Sequence, residues 1–254
     1  MILAIDIGNS NIVVGCFDRD DIIFVERIST NRDKNALDYV TAFKDMLEIY
    51  SIDVKNIDGG IISSVVPSLT QSIKEAVNKL TGLNVLIVGP EIKTGLNILM
   101  DNPSKVGSDL IVDAVAGISK YNLPLIIFDM GTATTVSVID ENKNYIGSMI
   151  IPGIGISLNS LINRVSQLPQ ITLEAPKHIL GKNTIDSMNS GIIYSTAASI
   201  DGIVSRIENE LGKKATVVAT GGLAGSIIPF CESSIILDDE LLLRGLMILY
   251  NKNL

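Results

Sequence analysis

The stretch AIDIGNSNIVV at residues 4–14 is repeated in outline by IFDMGTATTVS at residues 127–137. Each copy is an apolar run that ends in Asp, followed by a Gly turn with small polar residues and a second run of strand-forming residues. Runs rich in Ile and Val are typical of interior strands, and Asp-x-Gly between two of them predicts a hairpin turn. The repetition therefore predicts a duplicated fold with one such hairpin in each half.

The two hairpins have the chemistry of a phosphate site. Asp6 and Asp129 end matching strands, and Gly8 and Gly131 open the turns that follow. Backbone N–H groups in Gly turns can approach phosphate oxygens, and carboxylates hold hydrated Mg²⁺. A single Asp can equally initiate its turn through an Asx-type hydrogen bond. Two matched copies favour a nucleotide phosphate chain with Mg²⁺, and therefore a protein that uses ATP.

Composition limits the class of protein. The chain has 254 residues, 46% of them apolar, and a net charge of −8, which argues against nucleic acid as a partner. Cys16 and Cys231 are the two cysteines, so no disulfide framework is expected. The N-terminus lacks the basic region of a signal peptide, and no apolar run approaches the about 20 residues of a membrane span. We expect a cytoplasmic protein that does not enter a membrane.

The apolar runs predict a three-stranded meander in each half. In the first half the elements follow the order β-β-β-α-β-α-β and end in a long helix over residues 104–121. The meander restarts near residue 123, and a helix over residues 240–250 closes the chain. The prediction is an α/β fold with mixed sheets, a first lobe at residues 1–120, a second at residues 121–254, and an ATP cleft between them.

Common nucleotide signatures are missing from this chain. It has neither the G-x-x-x-x-G-K-[ST] of a P-loop nor a G-x-G-x-x-G that opens a helix. A third Gly-rich element, VATGGLA at residues 218–224, follows an apolar run and includes Thr220, Gly221 and Gly222. Bare backbone at such a turn suits the adenine and ribose of a nucleotide, although alone it is also an ordinary strand-to-helix turn. Its position after the two hairpins favours the nucleotide interpretation.

Two phosphate hairpins and a late Thr-Gly-Gly resemble the actin-like, ribonuclease H-like superfamily of sugar kinases and acetate kinases. Within it the chain resembles the type III pantothenate kinases over nearly its full length. The stretches that carry the resemblance are DIGNS (6–10), ISSVVP (62–67), DNPSKVGSD (101–109), DMGTATT (129–135), PG (152–153), GKNT (181–184), SG (190–191), TGG (220–222) and LRGL (243–246).

The resemblance implies ATP-dependent phosphorylation of pantothenate to 4'-phosphopantothenate, the first step of coenzyme A biosynthesis. It implies that Asp6 and Asp129 hold Mg²⁺ or its waters, and that Asp109 is the base that accepts the proton of the pantothenate hydroxyl. Phosphoryl transfer depends mainly on alignment and charge neutralisation, so this base need not be strong. The residues implied around the nucleotide are Asp6, Gly8, Asn9, Ser10, Asn11, Gly131, Thr132, Thr134, Thr220, Gly221 and Gly222.

The same resemblance implies an acceptor pocket, a homodimer and a requirement for a monovalent cation, K⁺ or NH₄⁺. The residues implied for the pocket are Met100, Gly107, Ser108, Leu110 and Thr184. Without the resemblance, Asp109 would be interpreted as a carboxylate favoured by a helix N-terminus.

The chain departs from the family at the acceptor pocket. Leu110 stands where the family usually has an Arg associated with the substrate carboxylate, Met100 replaces a common Tyr, and Asp113 replaces a usual Asn. Loss of a charge-assisted hydrogen bond costs about 1.5–3 kcal/mol. Two alternatives therefore stay open. One is a related kinase with a different small-alcohol acceptor, and the other is a non-catalytic, nucleotide-binding accessory regulator.

Overall fold

The computed structural model describes all residues from Met1 to Leu254. The strands are β1 (Ile2–Ile7), β2 (Asn11–Asp18), β3 (Asp21–Ser29), β4 (Gly59–Ser64), β5 (Leu86–Ile87), β6 (Asn97–Ile98), β7 (Leu125–Met130), β8 (Ala133–Ile139), β9 (Asn144–Pro152), β10 (Thr216–Thr220) and β11 (Ile236–Leu237). The helices are α1 (Ala36–Ile49), α2 (Pro67–Thr81), α3 (Ser108–Lys120), α4 (Ile154–Arg164), α5 (Thr184–Leu211), α6 (Ala224–Ile227) and α7 (Leu241–Lys252).

The chain folds into two compact units. Unit 1 consists of Met1–Leu96, Asp101–Ala116 and Glu240–Leu254, and unit 2 consists of Asn97–Met100 and Gly117–Asp239. The predicted single boundary between residues 120 and 121 differs from this division in three ways, the first being that Asn97–Met100 belongs to unit 2. The chain passes from unit 1 to unit 2 within α3, and the closing helix α7 belongs to unit 1 because its apolar side packs on the sheet of that unit.

Unit 1 is a five-stranded mixed sheet with helices on both faces. The strand order is β3-β2-β1-β4-β5, with β1, β2 and β3 antiparallel and β4 parallel to β1. Alternate residues of β1 face opposite layers. Ile5 lies in one apolar cluster with Phe43 of α1 and Ile73 of α2, whereas Ala4 lies in another with Leu246 of α7. This alternation buries both faces of the strand that ends just beyond Asp6.

Unit 2 repeats this arrangement. Its six-stranded sheet has the order β11-β10-β7-β8-β9-β6, with β7, β8 and β9 antiparallel and β10 parallel to β7. Ile126 and Phe128 of β7 pack with Ile193 and Ala197 of the long helix α5. Each unit thus contains a meander whose first strand pairs with a later parallel strand. The predicted duplicated α/β organisation with mixed sheets is confirmed.

Some elements differ from the prediction. The helix predicted over residues 104–121 begins at Ser108, because Pro103–Lys105 forms a separate 3₁₀ turn that ends before Gly107. The short edge strands β6 and β11 were outside the predicted elements, since two residues are too few to produce a pattern. No helix combines the length and the apolar character that crossing a membrane requires.

Candidate functional site

The first hairpin is closed by its own backbone. The Gly8 N–H donates to the Asn11 carbonyl at 2.9 Å, directly beyond the last paired residues of β1 and β2. A Cβ at position 8 would lie 3.0 Å from that carbonyl oxygen and 4.0 Å from Oδ2 of Asp6. Glycine therefore permits the tight turn and leaves the side of the Asp6 carboxylate uncovered. Asn9, Ser10 and Asn11 are exposed around it.

The segment after β3 is fastened to this hairpin. The Thr30 hydroxyl donates to the Gly8 carbonyl at 2.7 Å, and the Thr30 N–H donates to the Ser10 carbonyl at 2.9 Å. Two residues later, the Arg32 guanidinium donates to Oδ1 of Asn9 at 3.3 Å. Sequence analysis did not include these residues, because nothing local indicates that β3 ends beside the first turn.

The strand next to Asp6 connects the hairpin to the start of α3. Asp6 of β1 pairs with Ser63 of the parallel strand β4. The hydroxyl groups of the buried Ser63 and of Ser108 are 3.1 Å apart. Ser108 Oγ also accepts from the Ser64 N–H at 3.1 Å and donates to the Ser64 carbonyl at 3.0 Å. Ser108 thereby ties the first residue of α3 to the end of β4.

Asp109, the predicted base, is held in the first turn of α3. Its carboxylate accepts from the Leu110 N–H at 2.9 Å. Burial raises the pKa of Asp109 above its usual range, and hydrogen bonds from the backbone oppose that shift in part. A Cβ at Gly107 would overlap the Asp109 carboxylate, so glycine leaves room for the observed position of that carboxylate. The geometry gives a partly buried carboxylate whose proton affinity is higher than that of an exposed one.

The second hairpin lies against two other glycine positions of unit 2. The Gly131 N–H donates to the Ala133 carbonyl at 3.1 Å. Gly221 has φ of +94°, and a Cβ there would come within 2.7 Å of Oδ1 of Asp129. A Cβ at Gly153, directly before α4, would overlap the backbone carbonyl of Thr132. The Thr-Gly-Gly turn and the start of α4 therefore converge on the hairpin after Asp129.

The remaining predicted nucleotide residues differ in exposure. Thr132 and Gly222 are exposed. Thr134 of β8 and Thr220 of β10 are buried, with 5% and 4% of their surface accessible. Thr220 pairs with Asp129 across parallel strands, as Ser63 does with Asp6.

The predicted acceptor residues fall into separate groups. Gly107, Ser108 and Leu110 surround Asp109, and Leu110 is buried. Met100 follows β6 in unit 2. Thr184 is exposed at the first position of α5 and lines an open cavity of about 690 Å³. The other residues lining that cavity are Leu161, Leu168, Gly181, Lys182, Asn183, Ser187, Met188, Gly191 and Ile192.

Asp113, one of the departures from the family, is buried. It lies one turn after Asp109 in α3, and only 1% of its surface is accessible. Its side chain therefore belongs to the interior of unit 1.

The donor set fits Mg²⁺ held largely by water and phosphate. No group of three or more His, Cys, Asp or Glu side chains is placed to hold a metal ion. Asp6 and Asp129 are single carboxylates, each beside a glycine turn that leaves room next to the carboxylate. Mg²⁺ commonly binds through one or two carboxylates together with waters and substrate phosphates. The two positions therefore fit the predicted ion.

Several structural residues of these sites were missed as site residues. Ser63, Ser64 and Gly153 lie within the motifs that carry the family resemblance, and this was the signal that could have included them. Thr30 and Arg32 had no such signal.

Comparison with known proteins identifies relatives along the whole chain. A family model described as type III pantothenate kinase matches residues 2–206. A type III pantothenate kinase of Exiguobacterium is 45% identical over 253 residues, covering 100% of this chain and 99% of the relative. One from Halalkalibacterium halodurans is 43% identical and covers 100% of both chains.

Solved structures share the fold at low sequence identity. A Campylobacter jejuni protein described as a Baf family transcriptional activator has a TM-score of 0.58 and 20% identity, with 99% of this chain and 98% of that chain covered. Component A of (R)-2-hydroxyglutaryl-CoA dehydratase from Acidaminococcus fermentans has a TM-score of 0.57 and 14% identity, with 98% and 96% covered. At these identities the likeness concerns the fold alone.

Proposed function

The chain belongs to the type III pantothenate kinase family, a family of phosphotransferases, and we propose that it transfers the γ-phosphoryl group of ATP to the hydroxyl of pantothenate. The product is 4'-phosphopantothenate, in the first step of coenzyme A biosynthesis. The observation that carries the proposal is the connection from Asp6 to Asp109 within unit 1. Ser63 pairs with Asp6 and lies within 3.1 Å of Ser108, the residue before Asp109.

Asp109 accepts the proton in the proposed reaction. The hydroxyl oxygen of pantothenate forms a bond to the γ-phosphorus while the bond from that phosphorus to the bridging oxygen of ADP breaks. The hydroxyl proton moves to the Asp109 carboxylate, and ADP leaves with the electrons of the broken bond. Because the transition state is loose, the alignment of the hydroxyl contributes more than the strength of the base. Ser108 holds the start of α3 and so orients that carboxylate.

Both hairpins bind phosphate in this proposal. The N–H groups of the turn at Gly8, Asn9 and Ser10 serve unit 1, and those at Gly131 and Thr132 serve unit 2. Asn11, Thr134 and Thr220 support the turns from the adjoining strands. The turn at Gly221 and Gly222 receives adenosine, and the exposed Gly222 has no side chain to obstruct a flat ring. Unit 1 thus contains the first hairpin and the base, and unit 2 contains the second hairpin and the adenosine loop.

Asp6 and Asp129 are the residues that would hold Mg²⁺ or its waters. When bound, this ion neutralises charge on the phosphate oxygens. The resemblance also implies K⁺ or NH₄⁺, and we expect activity in either to exceed activity in Na⁺. The reaction belongs in the cytoplasm, where Cys16 and Cys231, which are free thiols here, stay reduced.

The residues that we propose for the acceptor are those that the family resemblance implies, Met100, Gly107, Ser108, Leu110 and Thr184. Leu110 is buried and apolar, so it cannot pair with the pantothenate carboxylate. Lys182 lines the same cavity as Thr184 and is a candidate for that pairing. In this proposal the Lys182 ammonium group binds the pantothenate carboxylate in place of the Arg that the family usually has at position 110. A different small alcohol remains the second candidate, and the observation that favours it is Leu110 itself.

We expect a homodimer that forms through an apolar region of unit 2. Large apolar side chains are exposed on β9, on α4, and on the segment that leads into α5. The strongest cases are Ile150, Leu180 and Ile179, with 76%, 79% and 63% of their surface accessible. Exposed apolar area of this kind marks protein interfaces. Thr184 comes shortly after this segment, so a second copy would lie close to the cavity that Thr184 lines.

A coupled ADP-release assay with ATP, Mg²⁺ and K⁺ tests the proposed function. The arms are wild type with pantothenate, wild type without acceptor, and Leu110→Arg with pantothenate. Pantothenate-dependent release by the wild type is the expected result. No ADP release by the wild type, together with ADP release by Leu110→Arg, would indicate that the wild type has a different acceptor. Nucleotide binding without turnover on any acceptor would favour the accessory regulator.

A further inference from the structure

The connection from β3 to α1 places a basic side chain at the first hairpin. Arg32 donates to the side chain of Asn9 at 3.3 Å, and Asn9 lies in the turn that follows Asp6. We propose that Arg32 is a phosphate-binding residue, which holds a phosphate group of the nucleotide at this turn. The inference rests on the proposed function in one respect, the assignment of this hairpin to a nucleotide phosphate.

Hydrogen bonds hold the two residues that precede Arg32. Thr30 is bonded to two carbonyl groups of the turn, those of Gly8 and Ser10. Asn31 accepts at its carbonyl from the Tyr39 hydroxyl at 3.0 Å, and the ring of Tyr39 is fully buried in unit 1. The backbone that leads into Arg32 is therefore attached both to the hairpin and to the core of unit 1. When an exposed side chain on a fixed backbone binds a ligand, it loses only its own rotamer freedom.

The guanidinium group has the geometry and charge that this position requires. It carries five N–H donors in a planar fork, and the bond to Asn9 uses one of them. The fork matches two phosphate oxygens at once, which an ammonium group cannot do. The chain lacks a P-loop lysine and has a net charge of −8. The Asp6 carboxylate, beside the same turn, is already proposed at the phosphates, so a cation there offsets charge that would otherwise repel the nucleotide.

The fixed backbone before Arg32 also predicts what this residue does in the reaction. Charge on the transferred group spreads over its equatorial oxygens in the transition state. A cation attached to the first hairpin is suited to bind a phosphate before and during transfer. We therefore expect its loss to weaken nucleotide binding and to leave the affinity for pantothenate unchanged.

Calorimetric titration with MgATP, without acceptor, tests the inference directly. Arg32→Gln should weaken MgATP binding roughly tenfold or more, as expected for loss of a charge-assisted hydrogen bond. Arg32→Lys, which keeps the charge but not the fork, should give an intermediate loss. Arg19→Gln is the matched control, because Arg19 is an exposed arginine in the turn between β2 and β3, at the end of β2 opposite to the first hairpin. It should bind MgATP as the wild type does.

Two results would overturn the inference. One is an affinity of Arg32→Gln for MgATP within about twofold of the wild type, and the other is an equal loss in Arg19→Gln. Melting temperatures of both variants near that of the wild type would exclude a folding defect as the cause. The titration also separates the inference from the proposed function. A wild type that binds MgATP through Arg32 but does not phosphorylate pantothenate contradicts the function alone.

Discussion

The two hairpins have the same topology and different surroundings. Asp6 and Asp129 each lie at the end of the first strand of a meander, and each pairs with a residue of a parallel strand, Ser63 in unit 1 and Thr220 in unit 2. Beyond Ser63 the chain bonds to Ser108 and so to the helix of Asp109. Beyond Thr220 it turns at Gly221, whose backbone lies against Asp129. The duplicated frame thus adjoins a partly buried carboxylate in one unit and a bare backbone turn in the other.

The difference shows that two hairpins of the same topology can adjoin different structures without a change in their strands. In unit 1 hydroxyl groups connect the parallel strand to a helix, which fixes a carboxylate. In unit 2 a glycine with positive φ removes side-chain bulk at the corresponding place. The segment after the parallel strand is what differs between the units, and the hairpin itself is common to both.

If the two hairpin carboxylates contribute equally to Mg²⁺ binding, Asp6→Asn and Asp129→Asn should have similar and large effects. Removal of either carboxylate should raise the Mg²⁺ concentration for half-maximal ADP release by roughly 10- to 100-fold. Asp20→Asn, an exposed acid of unit 1, is the control. A normal Mg²⁺ requirement in one of the two hairpin variants would break the equivalence.

The glycine turn of unit 2 should be intolerant of any side chain. Gly221→Ala combines a positive φ with contacts to Asp129 and Met130, and should lower the free energy of unfolding by about 2–4 kcal/mol. Gly212→Ala has a positive φ with open space, and should cost only about 1 kcal/mol. Urea denaturation of both variants measures the difference. Equal losses would mean that the contact with the second hairpin is unimportant.

The hydroxyl connection in unit 1 should contribute to stability and to orientation of the base. Ser108→Ala leaves the Ser64 N–H and the buried Ser63 hydroxyl without this partner, and should cost about 1–3 kcal/mol. The turnover number should fall while the KM for ATP stays the same. Ser195→Ala, on the exposed side of α5, is the control. An unchanged urea midpoint and turnover number in Ser108→Ala would contradict the contribution proposed for these hydroxyl groups.

The smallest expected effect is the difference in stability between alanine variants of the two hairpin glycines, Gly8 and Gly131. A Cβ at Gly8 would lie 3.0 Å from a backbone oxygen, whereas one at Gly131 would lie 3.5 Å from its nearest neighbour. Gly8→Ala should therefore destabilise the protein by about 1 kcal/mol, and Gly131→Ala should be nearly neutral. Thermal unfolding of the two variants makes the comparison. The reverse order would show that the turns relax in ways that these distances do not capture.

The elements that sequence analysis predicted are local. The hairpins, the Thr-Gly-Gly turn and Asp109 occur in short contiguous motifs, and from their order the family and enzyme class were predicted and are confirmed by the family match. The placement of Asp109 near the start of a helix was also correct, although the helix begins at Ser108 and not at residue 104.

The parts that were not predicted depend on contacts between distant residues. Ser63 and Ser108 are 45 positions apart, and a single sequence does not indicate that their hydroxyl groups meet. Arg32 is 23 positions from Asn9, and it lies there because β3 runs back beside β2. The membership of α7 in unit 1 has the same origin, since its apolar residues find their partners in β1 and β4. The assignments of individual site residues stay predictions.

The most direct test of the division between the units is the pH dependence of phosphopantothenate formation by the wild type and Asp109→Asn, with MgATP affinity measured in parallel. The carboxylate must be ionised to accept a proton, so the rate should fall as pH falls through the pKa of Asp109, which burial raises. Asp109→Asn should bind MgATP normally, lose the acid limb, and form product roughly 10²- to 10⁴-fold more slowly. Product formation at the wild-type rate, with the acid limb intact, would contradict the account.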